Sequence, residues 1–311
     1  MGSVAVFAPS PLLTVTVEEA PTGPDLHVHA GGQGVWQARM LQSLGASVTL
    51  CSVLLGEVGD VVRHLVEREG IHLRAVERDG RGAAYVHDRR GGEREPVIET
   101  PGDVLTRHDL DELYNLAFHS GLEADLTVLS GPAGDVVLPA DTYRRLAADL
   151  RSAGRPVVAD LAGERLDAVV AGGLAVLKVS DEELVDDGRA SGTDVRSVVE
   201  AMRRLREEGA ACVIVTRSAE STLVLDGGRM LEVRVPALEV VDTKGAGDSL
   251  TAGVAAALAD RASIEDAVRL GAAAGALNVT RHGLGSARPD AVKAMTKQVE
   301  IRPFDGEDAD Q

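Results

Sequence analysis

The sequence predicts an α/β protein whose mostly parallel sheet is covered by helices on both faces. Three observations lead there. Short runs rich in β-branched residues alternate with longer helical patterns along most of the chain. Those runs are almost continuously apolar, as strands buried on both faces are. Two other segments break the rhythm with period-two alternation and polar partners, and read as a small, half-exposed antiparallel side sheet.

In chain order, VAVFA from Val4 is the first buried strand. Residues 12–30, LLTVTVEEAPTGPDLHVHA, alternate and belong to the side sheet. A helical pattern covers 33–44, then VTLCSVLL from Val48 is a strand and 58–69 a helix. Residues 82–100 alternate again around a Gly-Gly turn. Helical patterns at 107–119, 140–153 and 194–208 then alternate with the strands LTVLS from Leu126, PVVADL from Pro156, LAVLK from Leu174 and CVIVT from Cys212. Leu250, Val254 and Leu258 recur every four residues and mark a helix beginning near Ser249. Residues 267–279 are rich in Ala and Gly, which permits close helix packing. No repeat or Pro/Ser-rich linker divides the chain, so 1–311 reads as a single domain with a strand-built appendage.

Composition narrows the function. With 44% hydrophobic and 26% charged residues among 311, the chain fits a globular protein. Aromatics are only 2%, so the core rests on Val, Leu, Ile and Ala, and a base-stacking surface is disfavoured. A net charge of −17 repels nucleic-acid backbones, and an anionic substrate would need a local positive pocket. Cys51 and Cys212 are too few for a disulfide framework or zinc site and point to a reducing compartment. No leader pattern or long apolar run is visible, so a cytoplasmic location without membrane contact is expected. Residues 303–311 read as a frayed acidic tail.

The stretch VDTKGAGDSLTAG, from Val241, carries the chemistry. Gly245, Ala246 and Gly247 precede a helix, where free amides and the helix dipole attract anions. An acid at Asp248 makes little sense as an anion binder but good sense as a base that takes a proton from a hydroxyl. Phosphoryl transfer needs that pairing. A glycine-rich turn with Asp248 as a plain N-cap is the competing reading. No G-x-x-x-x-G-K-[ST] occurs, so this is not a P-loop enzyme.

DTKGAGDSLTAG resembles the D-T-x-G-A-G-D signature of the ribokinase-like (phosphofructokinase B) carbohydrate kinases. AGGQGVWQARMLQSLGASVTLCSVLLGEVGD is similar to that family's first signature. LSGPAGDVVLPADTY with VVADLAG, and LKVSDEEL, look like the branch of 1-phosphofructokinase and tagatose-6-phosphate kinase. GLGSARPDAV resembles the usual end. The resemblance implies a ribokinase-like three-layer α/β/α fold, with residues 12–30 and 82–100 as a β-strand lid that closes over the sugar. It implies an enzyme using ATP and Mg2+, and leaves a monovalent cation open. Asp248 would be the base and the amides of Gly245, Ala246 and Gly247 the anion hole. Glu183 would hold magnesium through water, and Lys178 would lie near the ATP phosphates. Ser180, Thr216, Ser218 and Asn278 would border the nucleotide. Thr14, Gly31, Gly32, Gln33, Trp36 and Arg81 would meet the sugar. A homodimer through lid strands follows from the same resemblance.

Several positions depart from the family pattern. An N-P-x-x-D becomes SPLLT, with Ser10 and Thr14, and the sugar-binding Asp is gone. G-G-K-G-x-N becomes GGQGVW, so Gln33 replaces a Lys and Trp36 an Asn. The Asn of K-P-N-x-x-E-L is Ser180, and T-x-G becomes TRS, with Ser218 for Gly. The transfer machinery is kept while the sugar-reading set is altered. Two acceptor readings stay open, a sugar phosphate and a free sugar or nucleoside, and beside them stands a catalytically weak regulatory relative. Arg89, Arg90 and Arg94 read as a solvated hairpin tip, with contact to an anionic substrate as the alternative.

Overall fold

The computed structural model describes residues 2–132, 138–218, 220–280 and 284–304. The middle of LSGPAGDVVLPADTY, the Gly283 that opens GLGSARPDAV, and the tail after Phe304 lie outside these.

The main sheet has the order β14-β13-β12-β11-β10-β9-β8-β1-β4-β5. Its parallel part comprises β1 (Ser3–Phe7), β4 (Ser47–Leu55), β5 (His72–Arg78), β8 (Leu126–Ser130), β9 (Val157–Asp160), β10 (Leu174–Ser180) and β11 (Ala210–Thr216). Three strands, β12 (Thr222–Asp226), β13 (Arg229–Arg234) and β14 (Glu300–Pro303), continue it antiparallel. The strand alternation feeds two cores. Val4, Val6 and Ala8 pack under α1 (Gln33–Ser43), α8 (Ala246–Ala259) and α9 (Ile264–Asn278). Phe7 points the other way, toward α3 (Arg107–Glu123), α4 (Ala140–Ser152) and α7 (Val195–Glu208). This is the three-layer α/β/α arrangement the sequence implies. Of the scarce aromatics, Phe7 and Tyr143 are buried, and their rings meet edge-on at 5.5 Å.

The side sheet has the order β3-β2-β6-β7, from β2 (Leu12–Ala20), β3 (Gly23–Gly31), β6 (Ala83–Asp88) and β7 (Glu95–Thr100). It departs from the expectation in one respect. Its two hairpins are antiparallel, but they join through a parallel β2–β6 pair. Because β2 and β6 enter from the same edge of the main sheet, they run the same way. The expected frayed tail is also too long. Pro303 pairs with Leu231, and Phe304 N donates to Met230 O at 2.9 Å, so these two residues close the edge strand. Among the described residues, no helix is long and apolar enough to cross a membrane.

Candidate active site

Helix α8 begins at Ala246 rather than near Ser249, with Gly245 as its N-cap at φ 75° and no side-chain cap. That left-handed backbone suits glycine. Ser249 N is the first amide to close onto the helix, 3.0 Å from Gly245 O. The amides of Gly247 and Asp248 precede it and have no intrahelical acceptor, as in any first helical turn. Ala246 N bends back to Thr243 O at 3.4 Å, so it is less available than its neighbours. A Cβ on Gly247 would lie 2.6 Å from Lys178 Nζ, so a side chain there would push the ammonium aside.

The apolar Ala/Leu/Val content of α8 lets it bury almost its whole length, and this takes Asp248 inside, at 9% exposure. Gln37 from α1 extends its amide between two carboxylates, 3.3 Å from Asp248 Oδ1 and 3.3 Å from Asp160 Oδ2. The Gln37 carbonyl oxygen accepts from the Ser130 hydroxyl, which orients the amide. Asp160, at the end of β9, also receives Lys178 Nζ at 3.1 Å and the Thr251 hydroxyl at 2.8 Å. Burial first, then Asp160 and Glu183, raise the Asp248 carboxyl, Lys178 and the Gln37 amide oppose them, and the net is a rise to about 7. Burial alone would lower Lys178, but Asp160, Glu183 and Asp248 reverse this and hold the ammonium above its ordinary value.

A cavity of 820 Å³ opens at the carboxyl ends of β8, β9 and β10, lined by Gln33, Gly131, Asp160, Glu183 and the Leu161–Arg165 segment among others. Parallel α/β sheets bind ligands at this end. Gln33 is held there, its Oε1 accepting from Gly131 N at 2.7 Å. Glu183 sits in a capping box with Ser180: the Ser180 amide and hydroxyl both donate to Glu183 Oε2 at 2.8 Å.

The remaining expected residues fall in different places. Gly31 and Gly32 join β3 to α1. A Cβ on Gly31 would meet Thr14 Oγ1 at 2.4 Å, and Gly32 has φ 100°. Thr14 is buried in β2, and Trp36 is half-buried on α1 and not among the residues lining the cavity. Arg81 is exposed and paired with Asp103 at 3.2 Å. Thr216 ends β11, and Ser218 takes φ 43°, a backbone that explains glycine in the family pattern. Asn278 is fully buried with both ends of its amide committed to backbone. Nδ2 donates to Lys244 O at 2.7 Å, and Oδ1 accepts from Gly285 N at 3.1 Å. It braces the glycine loop rather than offering a free amide to a nucleotide. The arginine hairpin is not a solvated tip. Arg94 reaches Asp242 at 2.8 Å and Arg89 lies 3.6 Å from it, while Arg90 stays on the surface against Asp88.

Asp160, Gln37 and Thr251 were not singled out by the sequence reading. A carboxylate ending an otherwise apolar strand was the available signal for Asp160, and Thr251 lies one helical turn past Asp248.

A buried acid beside unfilled helix amides, at the ligand-binding end of a parallel sheet, is compatible with a kinase that acts on hydroxyl groups. The chain belongs to the pfkB family of carbohydrate kinases, whose family model matches residues 7–291. Among its relatives, it is 28% identical over 261 residues to 1-phosphofructokinase of Bacillus subtilis (strain 168), covering 83% of this chain and 84% of the relative. It is 27% identical over 277 residues to 1-phosphofructokinase of Escherichia coli (strain K12), covering 89% and 88%. Among solved structures, phosphofructokinase-2 from Escherichia coli in complex with potassium superposes with a TM-score of 0.81 at 24% identity, covering 96% of this chain and 99% of that one. The tetrameric inhibited form of phosphofructokinase-2 from Escherichia coli gives 0.80 at 25%, with the same coverage. The family resemblance and the fold read from the motifs both hold.

Proposed function

We propose that the protein transfers the γ-phosphoryl group of ATP to a hydroxyl of a sugar phosphate. The observation that carries this is Asp248, a buried carboxyl raised to about 7, in the same helical turn as amides that lack acceptors. Asp248 takes the hydroxyl proton as that oxygen bonds to the γ-phosphorus. The bond from phosphorus to the bridging oxygen breaks, and ADP leaves. The amides of Gly247 and Asp248, with Gly245 and Ala246 shaping the turn, stabilise the charge on the moving group. Lys178 sets a positive field beside Gly247. Ser180, Thr216 and Ser218 border the nucleotide side. Thr14, Gly31, Gly32, Gln33 and Trp36 belong to the sugar side, and Arg81 to its rim.

Magnesium fits the donors present. Among the described residues, no group of three or more His, Cys, Asp or Glu could hold a metal alone. Magnesium keeps several waters and takes one or two carboxylates with phosphate oxygens. Asp160 and Glu183, which share the cavity wall, would hold it, Glu183 through water. When bound, it neutralises charge on the phosphates.

The four-stranded sheet serves as a lid on a single kinase domain, and its outer face supports a homodimer. Register places Val15, Val17, Leu26, Val28, Val86 and Ile98 on one face, where Leu26, Val28 and Ile98 are 59%, 42% and 54% exposed. Light scattering reads the assembly directly. Two buried free cysteines accord with a cytoplasmic enzyme.

A coupled ADP-release assay with magnesium-ATP over hexose phosphates, hexoses, pentoses and nucleosides tests the function. Strong turnover with one sugar phosphate supports it, and no turnover with any acceptor overturns it. The uncharged Gln33 favours a free sugar as the second reading, which the same panel separates. The intact Asp248 speaks against a non-catalytic regulator.

A further inference from the structure

The side sheet turns its polar face inward, and that face collects cations. Thr14 pairs in register with His29 and Tyr85, and Thr16 with His87, so these side chains share the face opposite the valines. The loop before α8 meets them from the other side. Lys244 Nζ stands 5.8 Å from the Tyr85 ring centroid, and Arg94 and Arg89 reach Asp242. Tyr85 stacks on His87 at 4.9 Å, and His87 Nε2 bonds the Thr16 hydroxyl.

Two features mark this cluster as incomplete on its own. His87 is buried, and its Nδ1 has no hydrogen-bond partner; neither has the buried Nε of Arg94. Buried polar atoms of this kind are normally satisfied. The local electrostatics agree. Burial, then Arg39, His87 and Arg94, together lower His29 to about 4, with Glu69 opposing them. Burial, then Arg94, Arg89 and Lys244, lower His87; burial, then Arg94, lower Lys244. The carboxylates acting on the cluster are Asp242, Glu18, Glu69, Glu99 and Asp248, and they do not reverse these shifts. A positive pocket in a chain of net charge −17 has to be built locally.

Lys244 occupies the variable position of D-T-x-G-A-G-D, four residues before Asp248, and it senses the charges of both Asp248 and Arg94. We propose that Lys244 and Arg94, backed by His87, form the subsite for a phosphate already on the sugar, and so determine specificity for phosphorylated acceptors. This subsite replaces the lysine that Gln33 displaces. Asp242 holds Arg94 in place until the phosphate arrives. Charge-assisted bonds from a lysine and an arginine give the discrimination such a site needs. The inference rests on the sugar-phosphate reading above.

The test is equilibrium binding, which needs no turnover. Fructose 1-phosphate, fructose 6-phosphate, inorganic phosphate and fructose are titrated into wild-type protein, Lys244→Gln and Lys244→Arg. We expect wild type to bind one sugar phosphate at least tenfold tighter than fructose. Lys244→Gln should collapse that ratio toward one, and Lys244→Arg should restore most of it. A general folding defect would not change the ratio selectively. A ratio unchanged in Lys244→Gln overturns the subsite, as does wild type that binds neither sugar phosphate nor inorganic phosphate. Failure of the kinase reading shows separately, as absent ADP release from a protein that still discriminates by phosphate.

Discussion

Lys178 Nζ donates to Asp160 Oδ1 at 3.1 Å, and the same ammonium closes the space beside Gly247. One buried cation thus stands between two buried acids and the start of α8. Lys178→Met should leave Asp160 and Asp248 without it. Losing one partner of a buried pair costs about 3–5 kcal/mol, read as a lower denaturant midpoint. Since Lys178 holds the Asp248 carboxyl down, the variant should also need higher pH for activity.

Asp248→Asn keeps the shape of the first turn and removes the base. Turnover should fall by about 10²–10⁴-fold, while ATP affinity by calorimetry changes little. Full activity in this variant would remove Asp248 from the mechanism.

The pH profile carries a sign of its own. Asp248 must be ionised to act, so turnover should drop about tenfold per unit below pH about 7. Stability runs the other way. The carboxyl is raised from 3.8 to about 7 in the folded protein, so its contribution is complete below pH 3.8 and is lost as pH rises through about 7. Asp248→Asn should therefore melt higher than wild type at pH 8, and the gap should close on acidification toward pH 4.

Helices α8 and α9 touch through glycine. A Cβ on Gly253 would fall 2.6 Å from Gly271 Cα, a backbone atom that cannot swing away. Gly253→Ala should cost about 1–3 kcal/mol by overpacking and reduce turnover by shifting the Asp248 turn. Thermal melting and the ADP assay read the two effects together.

The buried strands and amphipathic helices were legible because each announces itself within a few residues. The patterns at 33–44, 107–119 and 194–208 match Gln33–Ser43, Arg107–Glu123 and Val195–Glu208 closely. Edge strands were harder: RMLEVR in β13 and EIRP in β14 mix charge with apolar residues and lack a run. The motif located Asp248 and the glycines. It could not locate Gln37, whose bond to Asp248 spans 211 positions, or the Arg94–Asp242 bridge, which spans 148. Such contacts depend on how layers stack, and local pattern holds no record of that. The same limit made Asn278 look like a ligand contact when it is a brace.

That brace bears on biosynthesis. Gln37, Asp160 and Lys178 leave the ribosome early, but the turn holding Asp248 is pinned by Asn278 and Gly285, and by Val241 N and Asp242 N on Val279 O. Chains emerge from the N-terminus at about 5–20 residues per second, so the parallel strands exist for seconds before the last support arrives. A nascent chain stalled before Asn278 would carry the base without its scaffold, and the enzyme would stay silent until its synthesis was nearly finished.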